Sequence, residues 1–246
     1  REKYSNLLLS SSTESQELVQ LLTAIPPETE LSDQMVVELH QRYPLNDKII
    51  KEYISTLLPN GSWEDINYQD TKRSGWAPMT HAKRVLEMTK AFYTETSSLY
   101  RDKELERALH GTLSYWFTHK PQCLNWWYNQ IGVPKTLGSA FILFFDELSQ
   151  EEKDSAIAVM NQARFGMTGQ NKVWLAGNVL IRAVLQEDMD LMRKARNVIA
   201  GEITLGQKEG IQEDWSFHQH GPQQQFGNYG LAFLTSMSFY SSLFTN

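Results

Sequence analysis

The chain has 246 residues, 23 Lys+Arg against 29 Asp+Glu, and a formal net charge of −6. Its 41 % hydrophobic content is enough to bury a core in one large domain or two, which excludes wholesale disorder. One cysteine, Cys123, excludes an internal disulfide framework and a Cys-rich zinc module, the acidic balance argues against nucleic acid as the default partner, and apolar runs such as 141–145 are far too short to cross a bilayer.

Helical periodicity runs through almost the whole chain, with hardly any strand signal. Ser32-Asp33 opens an apolar pattern (Met35, Val36, Leu39) that Pro44 stops. Asn46 or Asp47 caps a segment with Ile49, Ile50, Tyr53, Ile54 and Leu57, ending before Pro59. Pro78 suits the first turn of a helix through Val85, Leu86, Thr89 and Phe92. Asp102 opens a segment with Leu105, Leu109, Leu113 and Trp116 on one face. Pro134 opens residues 137–148. Ser149-x-x-Glu152 reads as a capping box, because each side chain can satisfy a free N–H at the helix start. Segments 173–185, 189–205 and about 227–244 follow. The expectation is about ten helices of 12–18 residues paired as antiparallel hairpins in a single domain over 1–246, with residues 1–12 loose. No basic n-region followed by an apolar stretch is present at Arg1, so no signal peptide is read there.

Long and short connections alternate. In an up-down array successive loops lie at opposite ends, so the long loops 59–77, 119–132 and 206–228, with the intermediate one at 165–171, are expected at one end. Together they are roughly a quarter of the chain, yet they hold five of the seven tryptophans: Trp63, Trp76, Trp126, Trp127 and Trp215. Trp174 follows directly after one of them. Long loops in compact domains are often functional, and exposed indoles stack on sugar rings, so a sugar groove is expected at this end. The plain alternative is that loop tryptophans pack down on helix ends.

Four stretches carry polar groups suited to chemistry. They are SWEDINY (62–68), NWWYNQIGVP (125–134), TGQN (168–171), and EGIQEDWSFHQHG (209–221) followed by NYG (228–230). With this order and separation the chain resembles polysaccharide lyase family 8, the chondroitin AC, hyaluronate and xanthan lyases, from about residue 45 to the end. The resemblance implies an all-α fold, an incomplete α/α toroid of helical hairpins that the parent protein continues into β-sandwich domains. It implies β-elimination on a uronate-containing polysaccharide, chondroitin or hyaluronan, with xanthan as the nearest variant and a secreted or periplasmic setting. Tyr229 is implied as general base and acid, His220 as its aid, and Asn171 as the partner of the uronate carboxylate. Trp126 and Trp127, with Asn125, are implied as the substrate-binding patch. The family's arginines and glutamate beyond the tyrosine match no position here, so weak or no turnover is expected of these 246 residues alone.

The chemistry asks for those residue types. Removing the proton at C5 of a hexuronate builds charge on the carboxylate, which an amide such as Asn171 can share without losing a proton of its own. A phenol, with a reference pKa of ~10, must be drawn toward phenolate by cations or donors before it acts as a base. No metal or cofactor is needed in this scheme. Each residue also has a plain role: Tyr229 as a core tyrosine at a helix start, Asn171 as a helix cap. His218 and His220 form an HxH pair that could hold zinc with Glu213 or Asp214. His40, His81, His110 and His119 read as surface or helix-face histidines. The long loops are not basic, since Lys72, Arg73, Lys120, Lys172 and Lys208 are matched by acidic neighbours, so composition offers nothing for a polyanion. Two further functional classes stay open: a non-catalytic glycan-binding domain and a helical scaffold for a protein partner.

Overall fold

Residues 45–206 and 208–244 are described in the computed structural model. The predicted segment at 32–44, the loose residues 1–12 and His40 lie outside them. The described residues form eight α-helices of 9–17 residues, shorter on average than expected: α1 (Asp47–Ser55), α2 (Met79–Tyr93), α3 (Lys103–His119), α4 (Val133–Phe144), α5 (Gln150–Met160), α6 (Gly169–Leu185), α7 (Met189–Ala200) and α8 (Leu231–Phe244). Two π-helical turns, Tyr128–Gly132 and Phe226–Gly230, lead directly into α4 and α8. A two-residue hairpin, β1 (Gly210–Ile211) with β2 (Phe217–His218), lies inside the long loop 206–228, where no strand was expected.

Local chemistry sets the helix starts. Asn46 accepts from the Ile49 N–H at 3.3 Å, and Asp102 accepts from the N–H groups of Glu104 and Leu105. The capping box forms: the Ser149 N–H donates to Glu152 at 2.8 Å, and the Glu152 N–H donates to Ser149 Oγ at 3.3 Å. Such caps are worth ~1 kcal/mol each. Helix α7 stops at Ala200, short of the predicted residue 205, where Gly201 takes over as the C-terminal cap. Helix α6 starts at Gly169, four residues earlier than predicted, so Asn171 stands in its first turn and is not a cap.

The helices pack as hairpins in two rows. Helices α2, α4, α6 and α8 touch in succession, while α3 packs on α2, α5 on α4, and α7 on α6. In the inner row α4 buries ten of its 12 residues and α6 buries 13 of 17. Outer helix α7 buries only Ala195 and Ile199, because a single stripe suffices for a helix with one face on the core. Gly177 lets α8 approach α6: a Cβ there would lie 1.9 Å from the Tyr240 hydroxyl. This double-row, all-α arrangement is the α/α toroid architecture expected from the sequence. Among the described residues no helix is long and apolar enough to cross a membrane.

Candidate active site

Two of the five loop tryptophans are core residues. Trp63 and Trp76 are 1 % and 2 % exposed, and their indole N–H groups donate to the backbone carbonyls of Tyr53 and Asp70. The expectation of a groove lined by all the loop indoles is corrected here. A loop cannot hold its shape without burying something, and these two indoles serve that purpose. Of the two settings expected for His81, surface or helix face, it has the second, fully buried on the inward face of α2.

The long loops do converge. Loop 119–132 is tied to loop 59–77 by Asn125 Nδ2 donating to the Arg73 carbonyl at 3.0 Å, the Gly75 N–H donating to the Tyr128 hydroxyl at 3.1 Å, and the Cys123 thiol donating to the Lys72 carbonyl. Asn125 Oδ1 also accepts from the Trp127 N–H at 3.1 Å, so its amide works within the loop. Asn178 of α6 donates to the carbonyls of Gln130 and Ile131, satisfying oxygens in the π-helical turn. Trp126, Trp127 and Trp174 are half-buried over a small apolar cluster of Ile131, Ala163 and Leu175. Trp215 instead stands 75 % exposed at the tip of the β1–β2 hairpin.

Beside this aromatic wall lies the polar centre. His220 Nε2 is 3.1 Å from the Tyr229 hydroxyl, with the rings 5.0 Å apart and perpendicular. Trp174 packs against Tyr229 on one side (5.9 Å) and Trp127 on the other (5.8 Å). The π-helical turn at 226–230 presents Tyr229, and His220 sits at φ +59°, a left-handed conformation that costs free energy in a non-glycine residue. Asn171 lies one turn before Trp174 on α6, on the same face. It is buried, and its Oδ1 and the Trp174 Nε1 have no protein hydrogen-bond partner. An unsatisfied buried amide is costly, and such groups concentrate where a ligand completes them.

A carboxylate holds His220 in place. Glu209 accepts from the Gly221 N–H at 2.7 Å, from the Thr168 hydroxyl and from the Gln219 amide. Gln219 Oε1 accepts in turn from the Gln170 N–H at 2.9 Å, and Glu202 accepts from the Gly169 N–H at 2.8 Å and pairs with Lys172. The clamp thus joins both chain neighbours of His220 to the start of α6, which carries Asn171. Burial works against the Glu209 charge, but the Thr168 hydroxyl, the Gly221 N–H and the positive fields of His220 and Lys208 hold its pKa below the usual carboxylate range. Sequence reasoning missed Glu209 and Gln219, since a polar residue in a loop carries no signal of what it will face.

The HxH pair is split. His218 Nε2 faces Ser216 Oγ at 3.2 Å, whereas His220 faces Tyr229. Among the described residues no group of three or more His, Cys, Asp or Glu side chains converges as a metal site. A surface cavity of about 750 Å³ lies elsewhere, lined by Tyr53, Glu64, Asp65 and Arg84 among others, and shares no residue with this centre.

Residues 29–245 match the polysaccharide lyase family 8 N-terminal alpha-helical domain. Over 210 residues the chain is 30 % identical to a chondroitinase-AC of Pedobacter heparinus, covering 82 % of this chain and 30 % of that protein. It is 28 % identical over 198 residues to a xanthan lyase of Bacillus sp. (strain GL1), covering 71 % of this chain and 21 % of that protein. The fold superimposes with a TM-score of 0.78 on a chondroitinase AC lyase solved with oligosaccharides, at 29 % identity, covering 83 % of this chain and 32 % of that one. The chain therefore spans less than a third of the length of these relatives.

Proposed function

The chain belongs to polysaccharide lyase family 8, and on that premise we propose that it forms the helical catalytic domain of a lyase for a uronate-containing glycosaminoglycan, chondroitin or hyaluronan. The observation that carries the reading is the 3.1 Å contact between His220 Nε2 and the Tyr229 hydroxyl beside a wall of half-buried indoles. In this reading Trp126 and Trp127 guide the polymer, and Asn125 orients them through its bond to the Trp127 N–H. The unpartnered amide of Asn171 meets the uronate carboxylate and shares the charge that builds there.

The reaction is a β-elimination. Tyr229, as phenolate, takes the proton from C5. The electrons of that C–H bond form the C4–C5 double bond, and the C4–O bond breaks. The phenol then returns its proton to the leaving oxygen. His220 supports the phenolate whichever way the proton lies. An acceptor Nε2 draws the phenol proton, and an Nε2–H donates to the phenolate. A secreted or periplasmic setting goes with this reading, because a long anionic polysaccharide does not cross a bilayer unaided.

The test uses the whole protein that carries this domain, with chondroitin, hyaluronan and xanthan as substrates. Absorbance of the conjugated 4,5-unsaturated product should rise with the preferred polymer, and Tyr229→Phe should lower the rate at least ~100-fold, as loss of a general base does. Undiminished turnover by that variant would sink the mechanism. Binding of the polymer without any unsaturated product would instead favour a non-catalytic glycan-binding domain. A chelator should leave the rate unchanged, and its collapse would revive the HxH metal reading.

A further inference from the structure

Two cations near the site are already engaged: Lys172 pairs with Glu202, and Lys208 lies in the field of Glu209. A different cation stands at the site. Lys135 belongs to the first turn of α4, outside every loop. Its ammonium is 5.6 Å from the centre of the Trp174 ring, the same ring that packs on Trp127 and Tyr229. It lies one turn after Gly132, and a Cβ at Gly132 would lie 2.8 Å from the Trp127 ring. The face of the helix that carries Trp127 therefore also carries Lys135.

Among the described residues no carboxylate pairs with this lysine, although Lys103, Lys172, Arg84, Arg101 and Arg193 each have one. Lys135 is exposed, yet the protein mass around its ammonium pulls its pKa below the usual lysine range. Both are true of a side chain on the wall of a concave surface: water reaches it while protein surrounds it. A cation without a carboxylate partner, held over an indole and reached by water, is open to an anion.

We propose that Lys135 is an anion-binding residue of the sugar site, placed beside Trp174 to take a carboxylate or sulfate oxygen of an acidic glycan. This rests on the proposed glycan site. It adds a positive group from a helix to the aromatic wall. Lys135 would act in binding and alignment of the polymer, through a charge-assisted hydrogen bond, and not in proton transfer.

Calorimetric titration of the 246-residue chain tests it. The ligands are an unsulfated chondroitin tetrasaccharide, its carboxyl-reduced neutral counterpart, and the 4-sulfated form. Lys135→Met keeps the aliphatic stem over Trp174 and removes the charge, and Lys135→Arg restores it. An unchanged circular dichroism melt establishes that each variant is folded. The expected result is about a tenfold or greater loss of affinity for the unsulfated acidic tetrasaccharide in Lys135→Met. Lys135→Arg should recover most of it, and the neutral ligand should bind both proteins alike. A loss confined to the sulfated ligand would identify sulfate as the anion. Equal binding of every ligand to wild type and Lys135→Met would overturn the proposal while leaving the glycan site intact. Failure of the wild type to bind any of the three would remove the glycan reading, and the role of Lys135 with it.

Discussion

His81 illustrates how much a single side chain depends on its setting. It is fully buried among the rings of Trp63, Tyr68, Tyr115 and Trp116. The Thr112 carbonyl, 3.1 Å from Nε2, can only accept, so Nε2 carries the proton. Nδ1 then accepts from the Tyr68 hydroxyl at 2.9 Å, and that hydroxyl accepts from the Trp63 N–H. Burial, helped by the positive charge of nearby Arg84, pushes the imidazole down to about 3. An unfolded histidine titrates near ~6.5. Between these values the unfolded chain binds a proton that the folded chain refuses, so this contribution to stability is complete above pH ~6.5 and is lost as pH falls toward 3. The urea midpoint should drop between pH 7 and pH 4, and His81→Gln should flatten that dependence while lowering the midpoint at pH 7. An identical pH profile in the variant would contradict the assignment. The charged partners facing this region, Arg84 and Asp65, are unchanged in that comparison.

At the scale of elements, loop 206–228 earns its shape from α6. Gly169 opens α6 at φ +55°, and a Cβ there would lie 2.4 Å from Gln219 Oε1. Gly169→Ala therefore both strains the backbone and pushes on the clamp, and a loss of roughly 1–3 kcal/mol is expected in chemical denaturation. Glu209→Ala removes the acceptor of the Gly221 N–H, and the exchange rate of that amide should rise about tenfold while amides of α2 stay unchanged. The clamp also has a pH sense. The Glu209 carboxylate is held below its ordinary range, so its contribution is present above the unfolded value of ~4.3 and fades as pH falls through the folded one. Exchange at Gly221 that is insensitive to Glu209→Ala would mean the bond does not hold the loop in solution.

Across the whole molecule the two rows of helices differ in what they bury, and α8 is the exception. It belongs to the inner row, yet Phe233 is its only buried residue, and Leu234 and Phe226 beside it are 51 % and 59 % exposed. Helix α8 thus carries apolar surface of the kind that α4 and α6 bury. Exposed apolar surface of this kind binds hydrophobic dyes. The native chain should therefore enhance anilinonaphthalene sulfonate fluorescence, and Leu234→Lys combined with Phe226→Ser should cut the enhancement by about half. An unaltered signal would place the dye, and the apolar surface, elsewhere.

What the sequence by itself determined is local or periodic. Asn46, Asp102 and Ser149 cap helices because a side-chain oxygen three residues from a free N–H needs no tertiary partner. The inner helices α4 and α6 are legible as the segments 137–148 and 173–185, and NWWYNQIGVP, TGQN and EGIQEDWSFHQHG carry the family resemblance that the fold bears out. Tertiary structure alone decided the rest. Trp63 and Trp127 are both loop indoles, yet one is core and the other walls the site, because burial depends on what packs above each ring. Lys135 meets Trp174 across a separation that no spacing rule covers, and the distance from His220 to Tyr229, though the resemblance implied their pairing, is set by the fold of the loop. Such contacts arise where loops and helices far apart in the chain meet. Only the packing of the helices brings them to one place.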